Sequence, residues 1–174
     1  LAHPFDAVLD AADRLADECP EVLFLFVGNG PRKEDLRAQA KQRGLSNVRF
    51  LPFQPRERLA QSLSAADLQL VTMEPALEGL VVPSKLYGAL GAGRPVLFLG
   101  PSSSEAAHVV ETHDCGTVLP HSSGPALAEA IRTWHADSNR WAAASKRASS
   151  AVSEARSTAV ERFDALFRAV LAKQ

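Results

Sequence analysis

Five short apolar runs, at residues 22–27, 47–51, 68–72, 96–99 and 116–119, constrain this chain more than any other feature. They are apolar nearly throughout and do not alternate with polar residues, which is the pattern of strands covered by helices on both faces. Helices are predicted between them, over 5–18, 31–43, 56–64 and 104–111. In the first, Phe5, Val8, Leu9, Ala12, Leu15 and Ala16 recur at helical spacing, and Pro20 stops the helix before the next apolar run. Gly28, Asn29, Gly30 and Pro31 form a turn, with Pro31 placed to open the following helix. Such alternation predicts an α/β fold built on a doubly wound, Rossmann-like parallel sheet.

From Pro125 onward the pattern is helical only, with helices predicted over 126–136, 138–149 and 153–172. The last carries Val160, Phe163, Leu166, Phe167, Val170 and Leu171 on one face, which is expected to pack against the chain's own domain or, alternatively, to reach another domain. The other end is abrupt. A doubly wound sheet opens on a strand, whereas Leu1, Ala2, His3 and Pro4 lead straight into a helix. The sequence therefore reads as residues 1–174 of a longer chain, lacking the first strand and a preceding domain.

The 174 residues suffice for one domain with its own core. With 46% hydrophobic residues, 22% charged residues and a net charge of −1, the chain gives no electrostatic support to a nucleic-acid partner. Cys19 and Cys115 are far apart and have no histidines at zinc-ligand spacing, so they read as reduced thiols of a cytoplasmic protein. The longest apolar run, 22–27, is too short to cross a bilayer.

Several motifs fail on inspection. Gly28 and Gly30 follow a strand and precede a helix, but Lys33 occupies the third glycine position of a dinucleotide fingerprint. What remains is a tight turn that lets backbone approach a ligand closely. The sequence contains neither a phosphate loop ending in Gly-Lys-Ser/Thr nor a Gly-x-Ser-x-Gly elbow. His108, His113, His121 and His135 read as surface or cap residues. His3 is the exception, because a ligand could be reached from the first loop. Arg32, Lys33, Glu34 and Asp35 read as the solvated first turn of a helix.

Residues 78–95, EGLVVPSKLYGALGAGRP, are different. Glu78 lies beyond the carboxyl end of a predicted strand, where open α/β sheets bind ligands. A carboxylate there accepts hydrogen bonds from vicinal sugar hydroxyls, and Gly79 presents no side chain to obstruct them. Ser84 and Lys85 open the next helix, where free N–H groups, a hydroxyl and an ammonium suit an anion. Singly, Ser84 would be an ordinary N-cap and Lys85 a surface lysine. Together with Glu78 on one sheet edge, they point to a ligand site.

These blocks in this order, FLFVGNGP, NVRFLPFQPRERL, SAADLQLV, EGLVVPSKLYGALGAGRPVL and CGTVLP, resemble the C-terminal, nucleotide-sugar-binding domain of GT-B glycosyltransferases of the family 4 type. The EGLVVPSKLYG form looks closest to exopolysaccharide and colanic-acid-type members. The resemblance implies one half of a GT-B fold and retaining transfer of a glycosyl group from a UDP- or GDP-sugar to an acceptor hydroxyl. It also implies no metal and no further cofactor in this domain. The acceptor would be positioned by the preceding N-terminal domain, and residues 1–174 alone would bind donor without catalysing transfer. Peripheral association of the full chain with the inner face of the cell membrane is compatible with this reading.

Residue by residue, the resemblance gives Gly28, Asn29 and Gly30 to the loop lining the donor cleft. Leu51, Phe53 and Gln54 match the loop whose backbone meets the nucleotide base. Glu78 and Gly79 match the start of the acidic motif that holds the donor sugar. Ser84, Lys85 and Leu86 match the helix start that meets the diphosphate. Gly88 stands where the family carries its second Glu, the ribose ligand, and Glu78 precedes it by ten residues where the family has eight. The basic residues that the family places after its first strand have no counterpart here except His3. A non-catalytic module binding a nucleotide sugar or a partner protein in a polysaccharide-assembly complex is the alternative, and a GT-B-fold epimerase is another.

Overall fold

The computed structural model describes residues 4–81 and 83–171, with side chains described over 5–81 and 83–154. His3 and the apolar face from Val160 to Leu171 lie outside the described residues and side chains. The chain opens on helix α1 (Pro4–Glu18), whose spacing of Ala7, Val8, Ala11, Ala12 and Leu15 gives one fully buried stripe. Strand β1 (Phe24–Val27), helix α2 (Lys33–Gln42) and strand β2 (Val48–Leu51) follow. A 3-10 turn at Arg56–Arg58 leads into α3 (Leu59–Ser64), so the single helix predicted over 56–64 starts as a tighter turn.

The chain continues through β3 (Gln69–Thr72), α4 (Ser84–Gly91), β4 (Val96–Leu99), α5 (Glu105–Thr112) and β5 (Gly116–Leu119). It ends in α6 (Gly124–Ala136) and α7 (Ser138–Leu171). The break predicted near 149–153 is absent, and α7 is continuous. Ser149 and Ser150 donate their hydroxyls to the carbonyls of Ser145 and Lys146 one turn back, so the serine run is satisfied inside the helix.

All strands pair in parallel, but in two sheets. β1 pairs with β2 from Phe24↔Val48 to Val27↔Leu51, while β3, β4 and β5 pair in that order. Two clusters form the core. One joins α1, α2 and α6 to Phe24, Val48, Leu97, Leu99 and Leu119; the other joins α4 and α5 to Val71, Val96 and Phe98. Successive residues of β4 thus enter opposite clusters, as strands buried under helices on both faces require. That expectation holds for β4 and fails for β1 and β2. Leu25 and Val27 of β1 and Leu51 of β2 are exposed, because none of the described residues covers them.

Candidate functional site

Parallel strands bring all five following loops to one edge of the fold, and the candidate residues divide there into two groups. The first belongs to the loop after β3. Thr72 ends the strand, Pro75–Leu77 form a 3-10 turn, and Glu78 and Gly79 follow it. Glu78 donates its backbone N–H to the Pro75 carbonyl, at 3.1 Å, which fixes its place past the turn. Gly79 has φ +74°, and a Cβ built on it would meet nothing within 4 Å. Glycine is therefore needed here for its left-handed backbone; steric clearance does not require it.

Glu78 and Gly79 line a cleft of about 470 Å³ with Met73, Leu80, Val81 and the start of α5, at Ser103, Ser104 and Glu105. Ser104 is buried and caps α5: its hydroxyl donates to the Pro101 carbonyl at 2.7 Å and accepts from the Ala107 N–H at 3.3 Å. Sequence reasoning missed this wall. The signal was present in the topology, because the loops after neighbouring strands β3 and β4 lie side by side.

The same loop ends in α4, whose N-cap is Pro83 with no side-chain cap. Ser84 is therefore the first helical residue and does not cap the helix. Ser84 and Lys85 are both exposed, and among the described residues Lys85 forms no ion pair. Leu86 departs from expectation. Its side chain is fully buried among Val71, Ala89, Leu90 and Phe98, and its N–H is taken by the Pro83 carbonyl at 3.0 Å. Leu86 thus contributes to the core through its side chain, and its N–H is already bonded within the turn. Gly88 lies against α3, where a Cβ would stand 3.5 Å from Leu63 Cδ1.

The second group sits at the ends of β1 and β2. Gly28 has φ +124° and donates to the Leu51 carbonyl at 3.3 Å. Lys33 is not the solvated residue its sequence context suggested. Its ammonium donates to the carbonyls of Gly28 and Leu51 at 2.7 and 2.9 Å, and to Asn29 Oδ1 at 3.4 Å. Beyond Leu51, Phe53 is 69% exposed, leaving a ring face free beside the strand ends. The neighbouring Gln54 closes the turn by donating to the Pro52 carbonyl at 3.1 Å. None of these residues lines the cleft at Glu78.

His121 also differs from a surface histidine. In the loop after β5, its Nε2 lies 2.9 Å from Glu74 Oε2, joining the loops after β3 and β5 across the end of β4. His113, by contrast, is the C-cap of α5, and His135 lies in the last turn of α6 beside Glu21. Among the described residues no three His, Cys, Asp or Glu side chains group as a metal site would require. No helix among them is long and apolar enough to cross a membrane.

A doubly wound α/β domain with a cleft at the carboxyl ends of its strands defines the class of this protein. The sequence profile of the family "Glycosyl transferases group 1" matches residues 4–151, and the chain belongs to that family. It is 36% identical over 105 residues to the colanic acid biosynthesis glycosyl transferase WcaI of Escherichia coli (strain K12). That match covers 60% of this chain and 25% of WcaI, so the chain spans about a quarter of that relative. Among solved structures, WaaG, a glycosyltransferase involved in lipopolysaccharide biosynthesis, superposes with a TM-score of 0.67 at 26% identity. The superposition covers 85% of this chain and 38% of WaaG. Anabaena HepE in complex with UDP-glucose superposes with a TM-score of 0.70 at 24% identity, covering 86% and 40%. These neighbours are GT-B glycosyltransferases, and the α/β fold expected from the sequence is the one observed.

Proposed function

We propose that this domain holds the nucleoside diphosphate sugar donor of a retaining glycosyltransferase, and that its parent chain transfers the sugar to an acceptor hydroxyl in polysaccharide or glycoconjugate synthesis. The observation that carries the reading is the cleft at Glu78 and Gly79, in the loop that runs into α4, whose first turn bears Lys85, without an ion pair among the described residues. UDP-glucose in the HepE complex supplies the class of ligand, a diphosphate between a base and a sugar.

In this reading the Glu78 carboxylate accepts hydrogen bonds from donor-sugar hydroxyls, and the left-handed Gly79 turns the backbone toward the same sugar. Ser84 and Lys85 meet the diphosphate. Transfer breaks the bond between the anomeric carbon and the phosphate oxygen, and the electron pair leaves with the diphosphate. The new bond to the acceptor oxygen forms on the face that the diphosphate leaves, and the acceptor hydroxyl's proton passes to the departing phosphate oxygen that carries the electron pair. Charge thus grows on the leaving phosphate, toward which the first N–H groups of α4 are held by the helix and which the Lys85 ammonium reaches from its first turn. Asn29 and Gly30, Phe53 and Gln54 line the base and ribose end, with the exposed Phe53 ring as a stacking surface. The acceptor belongs to a preceding domain.

Lys85→Ala in the full-length enzyme tests the phosphate role. One preorganised charge of this kind is worth on the order of 3 kcal/mol in the barrier, so turnover should fall at least about tenfold. Unchanged turnover refutes the role assigned to Lys85.

A further inference from the structure

We infer that His121 is a positioning residue for the donor sugar: from the loop after β5 it braces Glu74, and through Glu74 the turn that presents Glu78. The role rests on the donor reading above, in which Glu78 holds the sugar. His121 itself lies outside the Glu78 cleft.

The loop that carries Glu78 has little support of its own. Every residue from Pro75 to Val81 is exposed, and the 3-10 turn at its start buries none of its side chains. Its internal bonds run from the Leu77 N–H to the Glu74 carbonyl, at 2.9 Å, and from the Glu78 N–H to the Pro75 carbonyl, at 3.1 Å. These bonds shape the turn without fixing it to the sheet. At its base, buried Met73 donates its N–H to the Leu99 carbonyl at 2.9 Å. Among the described residues no side chain from Pro75 to Val81 forms a hydrogen bond or ion pair, so lateral support falls to Glu74.

His121 stands on a firmer base. The Leu119 carbonyl accepts from the Gly100 N–H at 3.2 Å, and the Ser123 hydroxyl caps α6 by accepting from the Ala126 N–H at 3.2 Å. Next to that cap Gly124 seats α6 on α1, where a Cβ would stand 2.5 Å from Asp10 Cβ. The His121 side chain is 16% exposed, its Nε2 is sealed from solvent, and Glu74 Oε2 lies 2.9 Å away. The approach is oblique to the ring N–H, so attraction between carboxylate and imidazolium carries the contact.

Glu74 thus works at both ends, its carboxylate held by His121 and its carbonyl closing the turn on Leu77. Movement of Glu74 carries Glu78 with it. Hydrogen bonds to a sugar have short range, and a misplacement of about 1 Å costs about a hundredfold in rate. The nucleotide end of the site, at Gly28 to Gly30 and Phe53, belongs to the loops after β1 and β2 and does not share this brace.

The test is His121→Gln and Glu74→Gln, singly and together, in the full-length protein, read by calorimetry with UDP, GDP, UDP-glucose and GDP-mannose and by hydrogen exchange. Each single variant should weaken the sugar nucleotide about fivefold and leave the bare nucleotide within about twofold. The double variant should bind as Glu74→Gln does, because the pair is already broken. The Leu77 and Glu78 amides should exchange about fivefold faster than in wild type, with those of α1 unchanged. Glu74 is 42% exposed, so Glu74→Gln keeps the core intact and carries the test even where His121→Gln does not fold. Unchanged exchange at Leu77 and Glu78, losses that add in the double variant, or equal losses for nucleotide and sugar nucleotide would overturn the role of His121. Wild-type protein that binds no nucleotide would overturn the donor reading and this role together. Nucleotide binding with sugar-nucleotide affinity unmoved by either variant would overturn the role alone.

Discussion

The Lys33 ammonium donates to the Leu51 carbonyl oxygen at 2.9 Å, so a side chain from the first turn of α2 holds the end of β2. The same ammonium holds the Gly28 carbonyl at the end of β1, at 2.7 Å. One cation thus fixes two loops that carry candidate nucleotide contacts. Lys33→Met keeps the apolar stem and removes both bonds. It should cost about 1 kcal/mol of stability by urea unfolding. If the two loops hold the nucleotide, the donor KM rises while kcat changes little, and Lys33→Arg restores part of the loss. A donor KM equal to wild type would separate Lys33 from the nucleotide.

Gly79→Ala isolates a backbone effect, because the space beside Gly79 is open and only its φ of +74° resists a side chain. The left-handed conformation costs a non-glycine residue about 1 kcal/mol. Affinity for the sugar nucleotide should fall several-fold by calorimetry, with the unfolding midpoint lowered only slightly. An alanine variant that binds as well as wild type would show that the turn does not set the sugar contact.

Gly116 answers to packing instead. A Cβ there would lie well inside contact distance of the Val96 carbonyl oxygen across the β4–β5 ladder, with Val110 Cγ1 3.0 Å away on the other side. Neither neighbour can give way, since one is backbone and the other is core. Gly116→Ala should destabilise the domain by about 2–4 kcal/mol, or prevent folding. A thermal midpoint within about 2 °C of wild type would contradict the close approach.

Burial pushes the Cys115 thiol up to about 11, above the ordinary thiol range near 9. The folded protein therefore keeps a proton that the unfolded chain releases as pH passes 9. Stability should then fall between pH 9 and 11, by up to about 1.4 kcal/mol per pH unit from this group. Denaturant unfolding at pH 8, 9 and 10 should show the fall in wild type and a shallower slope in Cys115→Ala. Identical slopes would show that Cys115 does not titrate with unfolding.

The strands were legible in the sequence because each is a short apolar run, all but β3 closed directly by Gly or Pro, and observed starts differ from the predicted runs by at most two residues. The separation of the sheets was not legible, since pairing is a property of neighbours and not of any one run. The break predicted in α7 came from a serine-rich composition that side-chain bonding to the preceding turn offsets. In the site, Glu78 and Gly79 were legible from their place after β3, and they do share a cleft. The burial of Leu86, third residue of α4, was not legible, and neither was the bond from its N–H to the Pro83 carbonyl, because both depend on how the loop enters the helix. Lys33 was missed because its partners are two backbone carbonyls, one of them eighteen residues away, and carbonyls leave no trace in residue identity.

Calorimetric titration of the full-length protein with UDP, GDP and their sugars tests the donor reading most directly. One base should be preferred, and Lys85→Ala should weaken the free diphosphate and the sugar nucleotide alike. Glu78→Gln should weaken only the sugar nucleotide, by about tenfold, the value of one charged hydrogen bond. Absence of binding by every nucleotide, or wild-type affinity in both variants, would contradict the account.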